Sequence, residues 1–84
     1  MKLLFSERAW EDYLFWQSQD GKILKRINVL IREIQRTPFE GTGKPEQLRH
    51  ALAGCWSRRI SEEHRLVYNV SDDAVQIVQL RYHY

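Results

Sequence analysis

Apolar residues recur along this chain with two different periods, and the change of period divides it. "KLLF" (Lys2 to Phe5) is a short apolar run that predicts a first strand. Ser6 suits an N-cap, and Glu7 falls in the first turn, where the helix dipole favours an anion. Ala9, Trp10, Tyr13 and Leu14 follow at helical spacing, so a first helix is expected from about Ser6 to Gln19. Asp20 is a second N-cap. Ile23, Leu24, Ile27, Leu30, Ile31 and Ile34 then mark one face of a second helix, with Lys22, Lys25, Arg26, Arg32 and Glu33 on the other side. "TPFEGTGKPE" ends it, because Pro38, Gly41, Gly43 and Pro45 punctuate a loop.

Beyond the loop the period is two. "EQLRH" predicts a short strand. "CWSRRIS" sets Trp56 and Ile60 against Ser57 and Arg59. "HRLVYNV" sets Leu66, Tyr68 and Val70 against Arg65, Val67 and Asn69. "SDD" is a turn signal. "AVQIVQLRYH" is mixed, but near its end Val78, Leu80 and Tyr82 oppose Gln79, Arg81 and His83. Short connections imply hairpins and an antiparallel meander. The expected architecture is α+β, with two N-terminal helices on one face of a mainly antiparallel, twisted sheet. The other face then carries Arg59, Arg65, Arg81 and His83, which is more cationic than solvation requires.

At 84 residues the chain is expected to form one domain, 1–84. It is 43% hydrophobic and 29% charged, which is globular rather than disordered, and a net charge of +2 selects no partner. The single cysteine, Cys55, excludes an intramolecular disulfide. "MKLLFSERAWEDY" is too short in apolar residues for a signal-peptide core, and no run reaches the length of a membrane span. The expected location is cytoplasmic.

Two familiar chemistries fail on spacing. "GTGKPE" is not a phosphate-binding P-loop, because Pro38 stands where the first Gly belongs and Pro45 follows the Lys. His50, Cys55, His64 and His83 lack metal-ligand spacing, so no metal or cofactor is expected and each reads as a surface or packing residue. The remaining group is Glu46, Arg49, Arg59, Arg65, His83 and Tyr84. Residue counting favours the plain alternative of a loop carboxylate, solvated basic strand residues and a frayed end. The same residues nevertheless match what metal-free RNA cleavage requires. A base deprotonates the 2′-OH, a cation stabilises the phosphorane, and an acid protonates the departing 5′-oxygen. A terminal Tyr can stack on a splayed base.

The stretches "RTPFEGTGKPE", "WSRRISEEHRLVY" and the terminal "RYHY" carry a further reading. Over essentially its whole length the chain resembles the YoeB toxins of the RelE/ParE superfamily. The resemblance implies a ribosome-dependent mRNA endonuclease that cuts the message in the A site and so inhibits translation. It also implies neutralisation by a YefM-like antitoxin, repression of the operon by the complex, and a possible homodimer to which Trp10 or Trp16 would contribute. By position, Glu46 would be the general base and His83 the general acid. Arg65 would stabilise the transition state, and Tyr84 would position the nucleotide. Arg49, Arg59 and Arg81 would bind substrate phosphate. Arg49 stands where relatives often have Lys, and Phe5 and Cys55 read as packing changes. Residue chemistry alone leaves the base and acid interchangeable, because an ordinary carboxylate is a weak base and an ordinary imidazole is largely neutral at pH 7. Two other functions share the fold. One is a gyrase inhibitor like the ParE branch, which has no need of the Glu46, Arg65, His83 and Tyr84 set. The other is an inert antitoxin-binding module.

Overall fold

The computed structural model describes residues 1–83. Strand β1 (Lys2–Phe5) leads into helix α1 (Glu7–Gln19) and then helix α2 (Gly21–Arg36). Both helices start as their caps dictate. Ser6 Oγ accepts from the Ala9 N–H at 3.0 Å, and Asp20 Oδ1 accepts from the Lys22 and Ile23 N–H groups. The Ser6 hydroxyl also donates to the Val78 carbonyl, 72 residues on, so one side chain caps α1 and docks it to the sheet.

Four further strands complete the chain: β2 (Glu46–Gln47), β3 (Trp56–Arg59), β4 (Arg65–Val70) and β5 (Ala74–Gln79). The sheet order is β1-β5-β4-β3-β2. The last four strands form the expected antiparallel meander, whereas β1 lies parallel to β5 at the edge. The α1–α2 hairpin covers one face. Ala9, Trp16, Ile27, Leu30, Ile31 and Ile34 pack there on Leu66, Tyr68, Val75, Ile77 and Leu80. On α2 and β4 this is the apolar series expected from the spacing; on α1 the residues turned inward are Ala9, Asp12 and Trp16, whereas Trp10 and Leu14, expected on the same face as Ala9, are exposed. The helices leave the opposite face of the sheet uncovered, although Ser57, Val67 and Gln79 are buried on it.

Further details differ from expectation, each for a local reason. The strand anticipated over "EQLRH" ends after Gln47. One more ladder bond, from the Leu48 N–H to the Cys55 carbonyl, precedes a 3₁₀ turn at His50–Leu52, where His50 takes φ +58°. Strand β5 carries a bulge. Tyr68 pairs with Ile77 but Val67 pairs with Gln79, which leaves Val78 as the extra residue and returns Leu80 to the core side. The strand then ends, so alternation no longer governs the tail. Tyr82, expected to help close the core, is 55% exposed at φ +64°, while Leu80 is buried as expected. Trp16, expected at a dimer surface, is buried, and its indole N–H donates to the Leu80 carbonyl at 2.8 Å; Trp10 remains half exposed.

Arg58 was not expected inside, although strict alternation in "CWSRRIS" puts it beside Trp56 and Ile60 on the helix side. It is fully buried there. Its five N–H groups donate to the Glu33 carboxylate, the carbonyls of Thr37, Glu40 and Thr42, and the Tyr68 hydroxyl. A buried guanidinium is tolerated only when its donors are satisfied in this way. The Thr42 N–H bond and the Arg58 guanidinium together hold the Glu33 carboxyl below the usual carboxylate range. The loop 37–43 is thus gathered around one side chain. Its end is tied by the Arg59 N–H to the Gly43 carbonyl at 2.7 Å, and β2 begins three residues later.

Candidate functional site

The backbone register lines up the face that the helices leave uncovered. Glu46 pairs with Ser57, Ser57 with Val67, and Val67 with Gln79, which makes one row across β2, β3, β4 and β5. Three strand spacings separate its ends, about 14 Å. One row along, Arg59 pairs directly with Arg65. Glu46 is therefore a diagonal neighbour of Arg59 on the same face, within reach of long side chains.

Like charges placed directly opposite destabilise a sheet. Arg59 and Arg65 hold that position with no carboxylate paired to either among the described residues. Each is fixed through its backbone. The Arg59 carbonyl accepts from Arg26 Nη2 of α2 at 3.0 Å, and the Arg65 N–H donates to the Tyr82 carbonyl at 3.1 Å. Arg65 Nε and Ser57 Oγ are buried without a hydrogen-bond partner among the described residues. Two arginines at directly opposed positions of one sheet face are a pair that a phosphate could bridge, its charge offsetting their repulsion.

The tail arrives at the other end of the row. Its four backbone carbonyls from Leu80 to His83 accept in turn from Trp16 Nε1, Gln79 Nε2, the Arg65 N–H and Gln79 Nε2 again. The Leu80 N–H donates to the buried Asp12 carboxylate at 2.9 Å, and the Tyr82 N–H donates to His64 Nδ1 at 2.8 Å. Because Gln79 belongs to the row that Glu46 opens, its amide ties His83 to the same face. His83 itself is exposed.

The expected site residues thus separate. Glu46, Arg59, Arg65 and the backbone of His83 are brought to one face. Arg49 is exposed beside Glu46, and both line a groove of about 560 Å³ with Leu48, His50 and Leu52. Arg81 is not brought to Arg59 and Arg65. Its guanidinium lies 3.6 Å from the centre of the Phe15 ring of α1 and donates to the Tyr82 hydroxyl. Tyr84 lies outside the described residues. Gln79 and His64, which hold the tail, carried no signal in the sequence. Their partners are backbone groups, and backbone partners leave no residue type to pair with.

Comparisons with known proteins identify the family. Residues 5–84 match the family model described as the YoeB-like toxin of bacterial type II toxin-antitoxin systems. The chain is 62% identical to Toxin YoeB of Escherichia coli K12 over 84 residues, covering 100% of both. Its fold superposes on a YoeB/ParE toxin from Agrobacterium tumefaciens with a TM-score of 0.97, 50% identity and full coverage of both chains. Staphylococcus aureus YoeB has been solved in a heterotetrameric complex with YefM and as a dimer. The TM-scores are 0.91 and 0.93, each at 47% identity and covering 100% of this chain and 98% of that one. Sequence and fold therefore place the chain among the YoeB-like toxins of bacterial type II toxin-antitoxin systems.

Proposed function

We propose that the chain is an mRNA endonuclease acting in the ribosomal A site, by attack of the 2′-OH on the adjacent phosphorus. The observation that carries this reading is the shared face of Glu46, Arg59, Arg65 and the tethered tail bearing His83. Glu46 takes the 2′-OH proton. Arg65, with Arg59 opposite, stabilises the charge that builds on the phosphorane. His83 gives a proton to the departing 5′-oxygen. Proton-transfer groups in such roles are each worth about 10²–10⁴ in rate. Tyr84 holds the nucleotide, and Arg49 binds phosphate at the groove it shares with Glu46.

The partner is inferred from the relatives. A YefM-like antitoxin covers this face and suppresses cutting, and operator DNA is bound only through the complex. A homodimer is expected by analogy with the Staphylococcus toxin.

The test is to incubate the purified protein with programmed ribosomes and map the cut ends. Cleavage should fall within the A-site codon and leave a 2′,3′-cyclic phosphate or the 3′-phosphate derived from it. Glu46→Gln and His83→Gln should each cut at least about 100-fold more slowly with the fold intact. Full activity in both variants would remove the residue roles. Gyrase inhibition without mRNA cleavage would remove the function.

A further inference from the structure

We propose that His64 is a positioning residue, whose Nδ1 fixes the C-terminal tail and so sets where His83 stands relative to Arg65. The proposal rests on the cleavage reading for its catalytic half and on geometry for the rest. Tyr82 is the pivot. It is a non-glycine residue at φ +64°, a conformation that L side chains adopt only when the surroundings impose it. Its two backbone groups are gripped by consecutive residues of the chain: its N–H donates to His64 Nδ1 at 2.8 Å, and its carbonyl accepts from the Arg65 N–H at 3.1 Å. The clamp that holds Tyr82 therefore also contains the backbone of Arg65, and His83 is the next residue along.

The His64 ring is itself held. It meets the Trp16 indole edge-on with centroids 4.8 Å apart, and Trp16 in turn donates to the Leu80 carbonyl. The His64 carbonyl accepts from the Ile60 and Ser61 N–H groups, which closes the turn between β3 and β4. An Nδ1 that accepts an N–H bond carries no proton, so the tautomer that makes this contact has its proton on Nε2. The turn, helix α1 and the tail thus meet at one imidazole, while Gln79 Nε2, at the end of β5, holds the Arg81 and His83 carbonyls.

Plain packing of His64 against Trp16 makes a different prediction from acceptance of the Tyr82 N–H. His64→Phe keeps an aromatic ring against Trp16 but removes the acceptor. His64→Asn loses part of the ring but keeps an oxygen near the place of Nδ1. Positioning predicts that Asn rescues and Phe does not, whereas packing predicts the reverse.

The experiment uses the full chain and two readouts. Hydrogen exchange at the Tyr82 amide should accelerate about fivefold or more in His64→Phe and stay near wild type in His64→Asn, with protection elsewhere in the sheet unchanged. Cleavage on programmed ribosomes should show kcat lowered about 100-fold in His64→Phe at nearly constant KM, the mark of a misplaced reacting group. Gln79→Met, which removes the other tether, should lower kcat in the same way without accelerating exchange at the Tyr82 amide, and His64→Leu serves in place of His64→Phe if the latter does not fold. Wild-type exchange and kcat in His64→Phe would overturn the proposal, as would equal impairment of Asn and Phe. If the wild type cuts no mRNA, the cleavage reading and the catalytic half of this proposal fall together. The exchange arm then decides by itself whether His64 fixes the tail.

Discussion

Arg59 and Arg65 stand directly opposite one another on neighbouring antiparallel strands, with no carboxylate between them among the described residues. A folded protein keeps such a pair at a cost of about 0.2–1 kcal/mol. Arg59→Gln should therefore leave stability unchanged or raise it by that amount, read as the urea midpoint at constant m. The same variant should cut programmed ribosomes more slowly. Loss of stability together with loss of cleavage would mean that the pair is structural.

On the other side of the sheet, Arg58 is the residue on which loop 37–43 depends. Arg58→Ala would leave the Glu33 carboxylate and three loop carbonyls without their shared donor. Glu33 is partly exposed, so the cost comes mainly from the acceptors left without a donor, about 1–3 kcal/mol. Thermal or urea unfolding should show a loss of that order, with the loop 37–43 amides exchanging freely. Arg58→Lys should not restore it, because one ammonium has three donors where five are used.

Stability should also fall in acid through Glu33. Its folded-state carboxyl sits below its ordinary value, chiefly because it accepts from Thr42, with Arg58 adding to the effect. The unfolded chain therefore takes up this proton first as pH falls. The contribution is fully present above the ordinary carboxylate value of about 4.3 and is lost as pH drops through the lower, folded value. Glu33→Gln should flatten the stability–pH curve in that acid window and leave its slope near neutrality unchanged. An unaltered acid slope would show that other carboxylates carry the transition.

Truncation separates the tail's two duties. Deleting only His83 and Tyr84 should abolish cleavage while the far-UV CD spectrum and most antitoxin binding survive. Extending the deletion through Leu80 should unfold the chain. Leu80 is fully buried, and its two backbone groups bond Asp12 and Trp16. A chain that lacks its last two residues and still cuts would reassign the acid.

Gly41 offers a steric check on the same loop. A Cβ built there would overlap the Glu33 carboxylate, and φ +121° already disfavours any side chain. Gly41→Ala should destabilise the protein and loosen the loop that precedes Glu46, read as a lower melting temperature and a lower kcat.

The helices, their caps, the meander and most of the core were legible in the amino acids because each rests on a local rule. Ser6 and Asp20 each cap the helix that starts at the next residue, the Ile23–Ile34 spacing admits one buried face, and the hairpins come from short connections. The cationic face was legible for the same reason, since alternation alone carries Arg59 and Arg65 to the side that the helices do not cover. Alternation also held Arg58 on the helix side, and the expectation that cations seek water hid it. Chain partners far apart in number were not legible. The pairing of β1 with β5, the bulge at Val78, the turning of Arg81 onto Phe15 and the grip of His64 and Gln79 on the tail all join segments through backbone groups or ring faces. Every residue owns a carbonyl and nearly every one an N–H, so such bonds mark no residue type. They exist only once packing has brought the segments together, and that packing, rather than the residues of the tail, holds His83 on the face that Glu46 shares.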